Sequence, residues 1–379
     1  MKIKNRNIFR ITRFILLRGP FLFKLLLPFR KNTSKTLLLI KIDAIGDYIL
    51  FRNFIEVLKF SKKYQDYEID LVGNILWKDL TLCYDSSFIT NFRFIDPDMI
   101  YNSPLQALKL GWQLFKKGYE VVLQPTYSRT LLANGLAGLT NAKSILSFNS
   151  DSELNPRYKR ITDKFYTSLY SLPITKKHEF ERNLFFFEQV VGNKIDLGSP
   201  LLPVSESVPV DILVFLGSGY FKRNWSEEKL LEILKRILSA TPYNIILAGA
   251  PTETSISNYL LSGLKSDRVF SLTGKTSLPE IIKKIASSKL VICNETSAVH
   301  IATACNVDCV CILGGGHFYR FAPYPANITT KVAYVYEIME CFECNWNCRI
   351  NHKEQDPFPC ITNISVEKVW KAIKEKLAL

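Results

Sequence analysis

Two aspartates four residues apart stand where a buried strand gives way to a helix. They lie in KIDAIGDYILFRNF, residues 41–54, directly behind the apolar run TLLLI. Gly46 permits a sharp turn and a close approach of a ligand to the backbone. Asp47 occupies the place of a helix N-cap, and aspartate is a favoured cap. A side chain there also projects from the carboxyl end of its strand. With an ordinary pKa of about 3.9 it is ionised at neutral pH and can accept a proton from a bound hydroxyl. Capping and general-base chemistry are both open to Asp47 on spacing. Asp43, nearer the strand, reads as a turn residue.

Three further stretches carry chemistry-bearing side chains. In GSGYFKRNWSEEKL, residues 217–230, Gly217, Ser218 and Gly219 can form a loop whose amides point at an anion. Lys222 and Arg223 follow, and Ser226 caps a helix whose first turn holds Glu227 and Glu228, as the helix dipole favours. Neither the Walker spacing nor the dinucleotide fingerprint is present. A phosphate contact and an ordinary loop with solvated charges are equally open. In VICNETSAVHIATAC, residues 291–305, a strand ends at Asn294 and Thr296 or Ser297 caps the next helix, whose N-terminus attracts anions. Glu295 stands just before it and His300 one turn inside. The bland reading is a cap and a hydrogen-bonded core histidine. GGGH, residues 314–317, closes a later strand. Last come Cys341, Cys344, Cys348 and Cys360, spaced C-x2-C-x3-C-x11-C. Zinc, an iron–sulfur cluster, packed thiols and a redox-labile knot are all open. The spacing does not match a standard finger, so no metal is assigned.

These residues need a scaffold, and the body alternates strand and helix. Strands are expected at 36–42, 67–73, 92–96, 120–126 and 143–148, then at 211–217, 243–249, 289–294 and 307–314. Helices are expected at 47–62, 104–117, 131–139, 180–192, 226–239, 253–264, 277–287, 297–305 and 365–379. Short apolar strands with helices between them imply parallel sheets covered on both faces. Residues 193–210, rich in Pro, Ser and Gly, read as a linker. The expectation is an α/β protein of two Rossmann-like doubly wound domains, 36–200 and 201–379, with a cleft between them and ligands outside the carboxyl ends of the strands.

The net charge of +14 is unevenly placed. Residues 1–35 hold ten Lys/Arg and no acid; the other 344 residues carry 39 bases against 35 acids, only +4. A nucleic-acid binder wants its basic face on the folded domain, so that class is set aside. The basic arm mixes Phe and Leu with its charges, which suits a helix lying on an anionic membrane surface; the rival is packing on its own protein. Its apolar runs are too short to span a bilayer and lack the form of a secretory signal. Cys83, Cys293, Cys305, Cys309 and Cys311 lie in or beside apolar runs and read as buried thiols in a reducing cytoplasm.

Taken together, LLLIKIDAIGDYIL, FLGSGYFKRNWSEEKLLEIL, LTGKTSLPEIIKKIASSKLVICNETSAVHIATA and the late cysteine group resemble glycosyltransferase family 9, the heptosyltransferase family of lipopolysaccharide synthesis. The resemblance spans roughly residues 36–375. It implies the GT-B architecture, with the final helix crossing back to the N-terminal domain. It implies a nucleotide-sugar donor, typically ADP-heptose, on the C-terminal domain, a lipid-linked core saccharide as acceptor, inverting transfer and no required cofactor. It makes Asp47 the general base, with Gly46 and Asp43 beside it, and Arg223 the contact to the donor diphosphate near Gly217, Ser218 and Gly219. Glu295 falls on the donor-sugar carboxylate, followed by Thr296, Ser297 and His300. Arg223 stands where the family has Lys, Glu295 where it has Asp, and Ser297 where it has Gly. The expected place is the cytoplasmic face of the inner membrane, held peripherally through residues 1–35. The rivals are transfer from another nucleotide sugar and an inactive membrane-associated saccharide-binding homologue; the oligomeric state is not legible.

Overall fold

The structure is a computed structural model that describes residues 3–30, 33–150, 155–175, 177–205 and 208–379. The chain divides between Asp196 and Leu197 into two units. Of the arm, residues 1, 2, 31 and 32 lie outside the described residues, as do 206 and 207 of the linker.

The N-terminal unit is built on one parallel sheet. Its strands are β1 (Thr36–Lys41), β2 (Glu68–Asn74), β3 (Asn91–Ile95), β4 (Val121–Gln124), β5 (Ser144–Phe148) and β6 (Ser168–Tyr170), in the order β3-β2-β1-β4-β5-β6. Every residue of β1 is buried, which is why it reads as an unbroken apolar run and not as an alternating one. Side chains alternate across the sheet. Leu38, Ile40, Val72 and Val122 join a core with the helices Pro104–Lys117 and Leu131–Leu139. The other face is covered by the helices Ile45–Phe51, Asn53–Phe60 and Glu179–Val191, where Phe54 and Phe187 stack at 4.9 Å. The single helix expected at 47–62 is thus two consecutive segments that meet at Arg52.

The basic arm is not a separate piece. Its helix, Arg6–Lys24, packs on Leu131–Leu139 and Pro104–Lys117. Leu16 is wholly buried, with Leu17 and Phe23 nearly so. Glycines make the close approach possible: a Cβ on Gly135 would come within 2.6 Å of the Leu16 Cβ, and one on Gly138 within 3.0 Å of Pro20. Arg13 donates to the Tyr158 hydroxyl at 2.7 Å, and Arg30 to the Thr140 carbonyl at 2.6 Å. Packing on its own protein, weighed as the rival reading, therefore describes one side of this helix. The other side stays apolar and exposed, with Ile11 56 %, Phe14 58 %, Leu22 54 % and Leu25 72 % accessible. No helix among the described residues is long and apolar enough to cross a membrane.

The C-terminal unit repeats the plan. Strands β7 (Asp211–Phe215), β8 (Asn244–Ala248), β9 (Val269–Ser271), β10 (Ser288–Asn294), β11 (Cys309–Ile312) and β12 (Val332–Val335) run parallel in the order β12-β11-β10-β7-β8-β9. The short edge strands β6, β9 and β12 carry too few residues to be seen as sequence runs. The last helix, Val366–Leu377, was expected to cross back to the N-terminal domain. It packs instead on its own sheet at β11 and β12 and on the helix Glu227–Ala240. Val369, Ala372 and Ile373 enter one core with Val310 and Ile312. Cys293, Cys309 and Cys311 are buried as expected, but Cys83 is exposed and Cys305 only half-buried.

Candidate active site

In open parallel sheets the ligand end is where strand order reverses, at the carboxyl ends of the central strands. In the N-terminal unit that place lies between β1 and β4; in the C-terminal unit it lies between β7 and β10. Each holds one group of the side chains singled out from sequence.

At the end of β1, the helix begins at Ile45 behind Ala44, whose side chain makes no cap bond. Asp47 is therefore in the first turn and is not the N-cap. Its carboxylate still suits the positive end of the dipole. The helix is held from behind: Tyr48 stacks on Trp77 at 4.3 Å, its hydroxyl donates to Asp85, and Arg52 pairs with Asp85 at 2.6 Å. Beside it stands Lys41, fully buried, with Nζ 2.9 Å from Asp43 Oδ2 in ion-pair contact without hydrogen-bond alignment. Burial alone would lower the Lys41 pKa, but Asp43, Asp47 and Glu179 outweigh it and raise it. Asp43 is thus more than a turn residue. Its carboxylate also accepts from Thr126 Oγ1 at 2.7 Å, and its carbonyl accepts from Trp77 Nε1. Lys41, Thr126 and Glu179 were missed from sequence. The signal was there in Lys41: a cation at the end of a buried strand must be met by carboxylates.

After β7 the chain turns through Gly217, Ser218 and Gly219. The Ser218 hydroxyl lies 2.7 Å from both the Tyr220 carbonyl and Asn224 Oδ1, so it holds the loop in shape. Gly217 is required by a neighbour in the fold: a Cβ there would fall 2.0 Å from Glu253 Oε1. That carboxylate group also accepts from the Ala250 amide at 2.8 Å, through Oε2. Arg223, in a short 3-10 turn, brings its Nη2 to 3.5 Å from where a Gly219 Cβ would stand. Asn294, at the end of β10, accepts from the Trp225 amide at 3.0 Å and ties this loop to the neighbouring strand.

Glu295 follows Asn294 and is buried. Burial raises its pKa to about 8, and only Arg223 pulls the other way. Its Oε2 and the Arg223 Nε have no hydrogen-bond partner among the described residues. Thr296 caps the helix Ser297–Ala304 by accepting from the Ala298 amide, with Ser297 half-buried at the first helical position. His300 is buried inside that helix, with Nδ1 3.0 Å from the Tyr324 hydroxyl, as a satisfied core histidine would be. The arrangement is a guanidinium and a mostly protonated carboxyl at a helix start, suited to an anion flanked by hydroxyls.

The late cysteines lie close to one another. Burial raises the Cys360 pKa to about 11, with Cys341, Cys344 and Cys348 in its field. All four are free thiols. Among the described residues no group of three or more His, Cys, Asp or Glu is placed to hold a metal ion.

Comparison with known proteins agrees with this architecture. Residues 164–349 match the family model "Glycosyltransferase family 9 (heptosyltransferase)". The lipopolysaccharide heptosyltransferase 1 of Campylobacter coli is 25 % identical over 360 residues, 89 % of this chain and 97 % of that protein. Among solved structures, a family 9 glycosyltransferase from Veillonella parvula superposes with a TM-score of 0.69 at 18 % identity, covering 91 % of this chain and 97 % of that one. The E. coli ADP-heptose lps heptosyltransferase II gives 0.66 at 16 % identity, over 90 % and 98 %. The E. coli heptosyltransferase WaaC with ADP-2-deoxy-2-fluoro heptose gives 0.65 at 16 % identity, over 90 % and 99 %. These solved structures share the two-domain GT-B fold with the chain. With one α/β plan used twice, a family match over residues 164–349 and a relative aligned along almost its whole length, the chain is similar to the enzymes of glycosyltransferase family 9.

Proposed function

We propose that this enzyme transfers a heptose from ADP-heptose to a lipid-linked core saccharide in lipopolysaccharide synthesis, with inversion at the anomeric carbon. One observation carries the donor half: among the described residues, Glu295 Oε2 and Arg223 Nε are buried without hydrogen-bond partners at the ligand end of the C-terminal sheet. A ligand bearing both an anion and hydroxyls satisfies them. The names of the Campylobacter coli relative and of the WaaC complex support ADP-heptose and lipopolysaccharide as the substrate classes.

In this reading Asp47 takes the proton of the acceptor hydroxyl as its oxygen attacks the anomeric carbon. The bond from that carbon to the diphosphate oxygen breaks, and the electron pair leaves with ADP. Arg223 and the start of the helix Ser297–Ala304 offset the charge that develops there. Glu295 orients a sugar hydroxyl. Transfer measured with ADP-heptose, and with UDP- and GDP-sugars alongside, tests the donor. Asp47→Asn should lower kcat roughly 10²–10⁴-fold with ADP binding intact. Near-normal turnover in that variant would remove the base.

The acceptor's lipid calls for a membrane, and the exposed side of Arg6–Lys24 offers a surface. The helix Pro104–Lys117, on which it packs, also exposes Leu105, Leu108 and Trp112, and neither helix contains an acid. Apolar side chains among bases fit an anionic lipid surface. Phe14→Ser with Leu25→Ser should lower sedimentation with phosphatidylglycerol vesicles and leave the melting temperature alone. Unchanged sedimentation refutes the surface.

A further inference from the structure

Trp346 lies in the middle of the cysteine-bearing segment, and its ring is fixed from several directions. A Cβ on Gly316 would fall 2.2 Å from its Cδ2, and one on Gly314 2.6 Å from its Cη2. The ring stacks on Phe358 with centroids 5.4 Å apart and planes 25° from parallel. The backbone fastens the segment at both ends. The amides of Glu343 and Asn345 donate to the carbonyls of Gly315 and Gly316, each at 2.8 Å. The Phe358 amide donates to the Lys222 carbonyl at 2.8 Å. Asn345 and Trp346 both adopt positive φ, 52° and 61°. Side chains rarely accept that conformation unless their surroundings enforce it. Residues 341–358 therefore brace the turn after β11 against the loop after β7.

What the brace reaches is Arg223. The guanidinium carbon lies 5.4 Å from the centroid of the Trp346 ring. Arg223 Nε makes no hydrogen bond among the described residues, so no polar group there fixes the guanidinium through that atom. An aromatic face attracts a guanidinium and leaves its N–H groups free for a ligand.

We propose that Trp346 is a positioning residue for Arg223: its ring holds the guanidinium ready to receive the donor's diphosphate. This rests on the reading that Arg223 meets that diphosphate. An arginine already held in place gives up less rotamer freedom on binding than a loose one.

Calorimetry tests it, using whichever of ADP, GDP and UDP binds the natural chain tightest. Trp346→Met fills space without an aromatic face and should weaken that nucleotide roughly 2- to 30-fold, the range a cation–π contact spans. Trp346→Phe should fall between Met and the natural chain. In an Arg223→Ala background, Trp346→Met should change nothing further. Losses that add in the double variant overturn the inference, because a ring that merely supported the fold would matter in either background. Equal losses from Phe and Met overturn it as well. Arg223→Ala binding as the natural chain does overturns the diphosphate reading, and this inference with it. Arg223→Ala losing affinity while Trp346→Met does not overturns this inference alone. If Trp346→Met fails to fold, Trp346→Phe carries the same cycle.

Discussion

Lys41 and Glu295 sit at matching places, each at the carboxyl end of a central parallel strand and each buried, yet the two domains treat them in opposite ways. Lys41 is met within the fold: Asp43 touches it, and Asp47 and Glu179 lie in its field. Glu295 faces one guanidinium and, among the described residues, keeps an oxygen without a hydrogen-bond partner. A buried charge answered by its neighbours is held in one state. A buried carboxyl left unanswered stays neutral and waits for a ligand. On this view the N-terminal unit answers its buried cation from within the fold, and the C-terminal unit leaves a buried carboxyl partly unanswered.

The largest expected effect comes from unbalancing the first site. Lys41→Met leaves three carboxylates without their buried cation and should cost about 3–5 kcal/mol at pH 7 by denaturant unfolding. The raised pKa of Lys41 means its contribution is whole below 10.5 and lost as pH climbs through the folded value. A variant as stable as the natural chain at pH 7 would erase the contrast.

A smaller effect is expected at the second site. Glu295 binds its proton more tightly folded, about 8 against an ordinary 4.5, so its contribution to stability falls as pH rises between those values. Glu295→Gln removes that decline. The difference in melting temperature between Gln and Glu chains should widen in favour of Gln from pH 5 to pH 9. ADP should likewise bind the natural chain more weakly above pH 8, and the Gln chain without that loss. A difference independent of pH would mean that Glu295 is already ionised in the fold.

The strands were legible because parallel strands buried on both faces leave runs such as TLLLI and LVIC. Asp47, Arg223 and Glu295 stand out as candidates because they follow those runs. Residues that act across long separations were not. Glu253 is set against Gly217, Trp346 against Arg223, and Leu16 against Gly135, and nothing local marks either partner. The helix start was misplaced by two residues because Asp47 suits a cap by type, while Ala44 takes that place by conformation.

The seat of Leu16 on Gly135 has a bearing on how the chain is made. The two residues are 119 positions apart. At synthesis rates of about 5–20 residues per second, the helix Arg6–Lys24 exists for roughly 6–24 s before the groove that covers it has been synthesised. During that interval Leu16, Leu17 and Phe23 are exposed together with Ile11, Phe14, Leu22 and Leu25, so the nascent helix is apolar around much of its circumference. The nascent chain therefore presents a greasier segment during translation than the finished protein does.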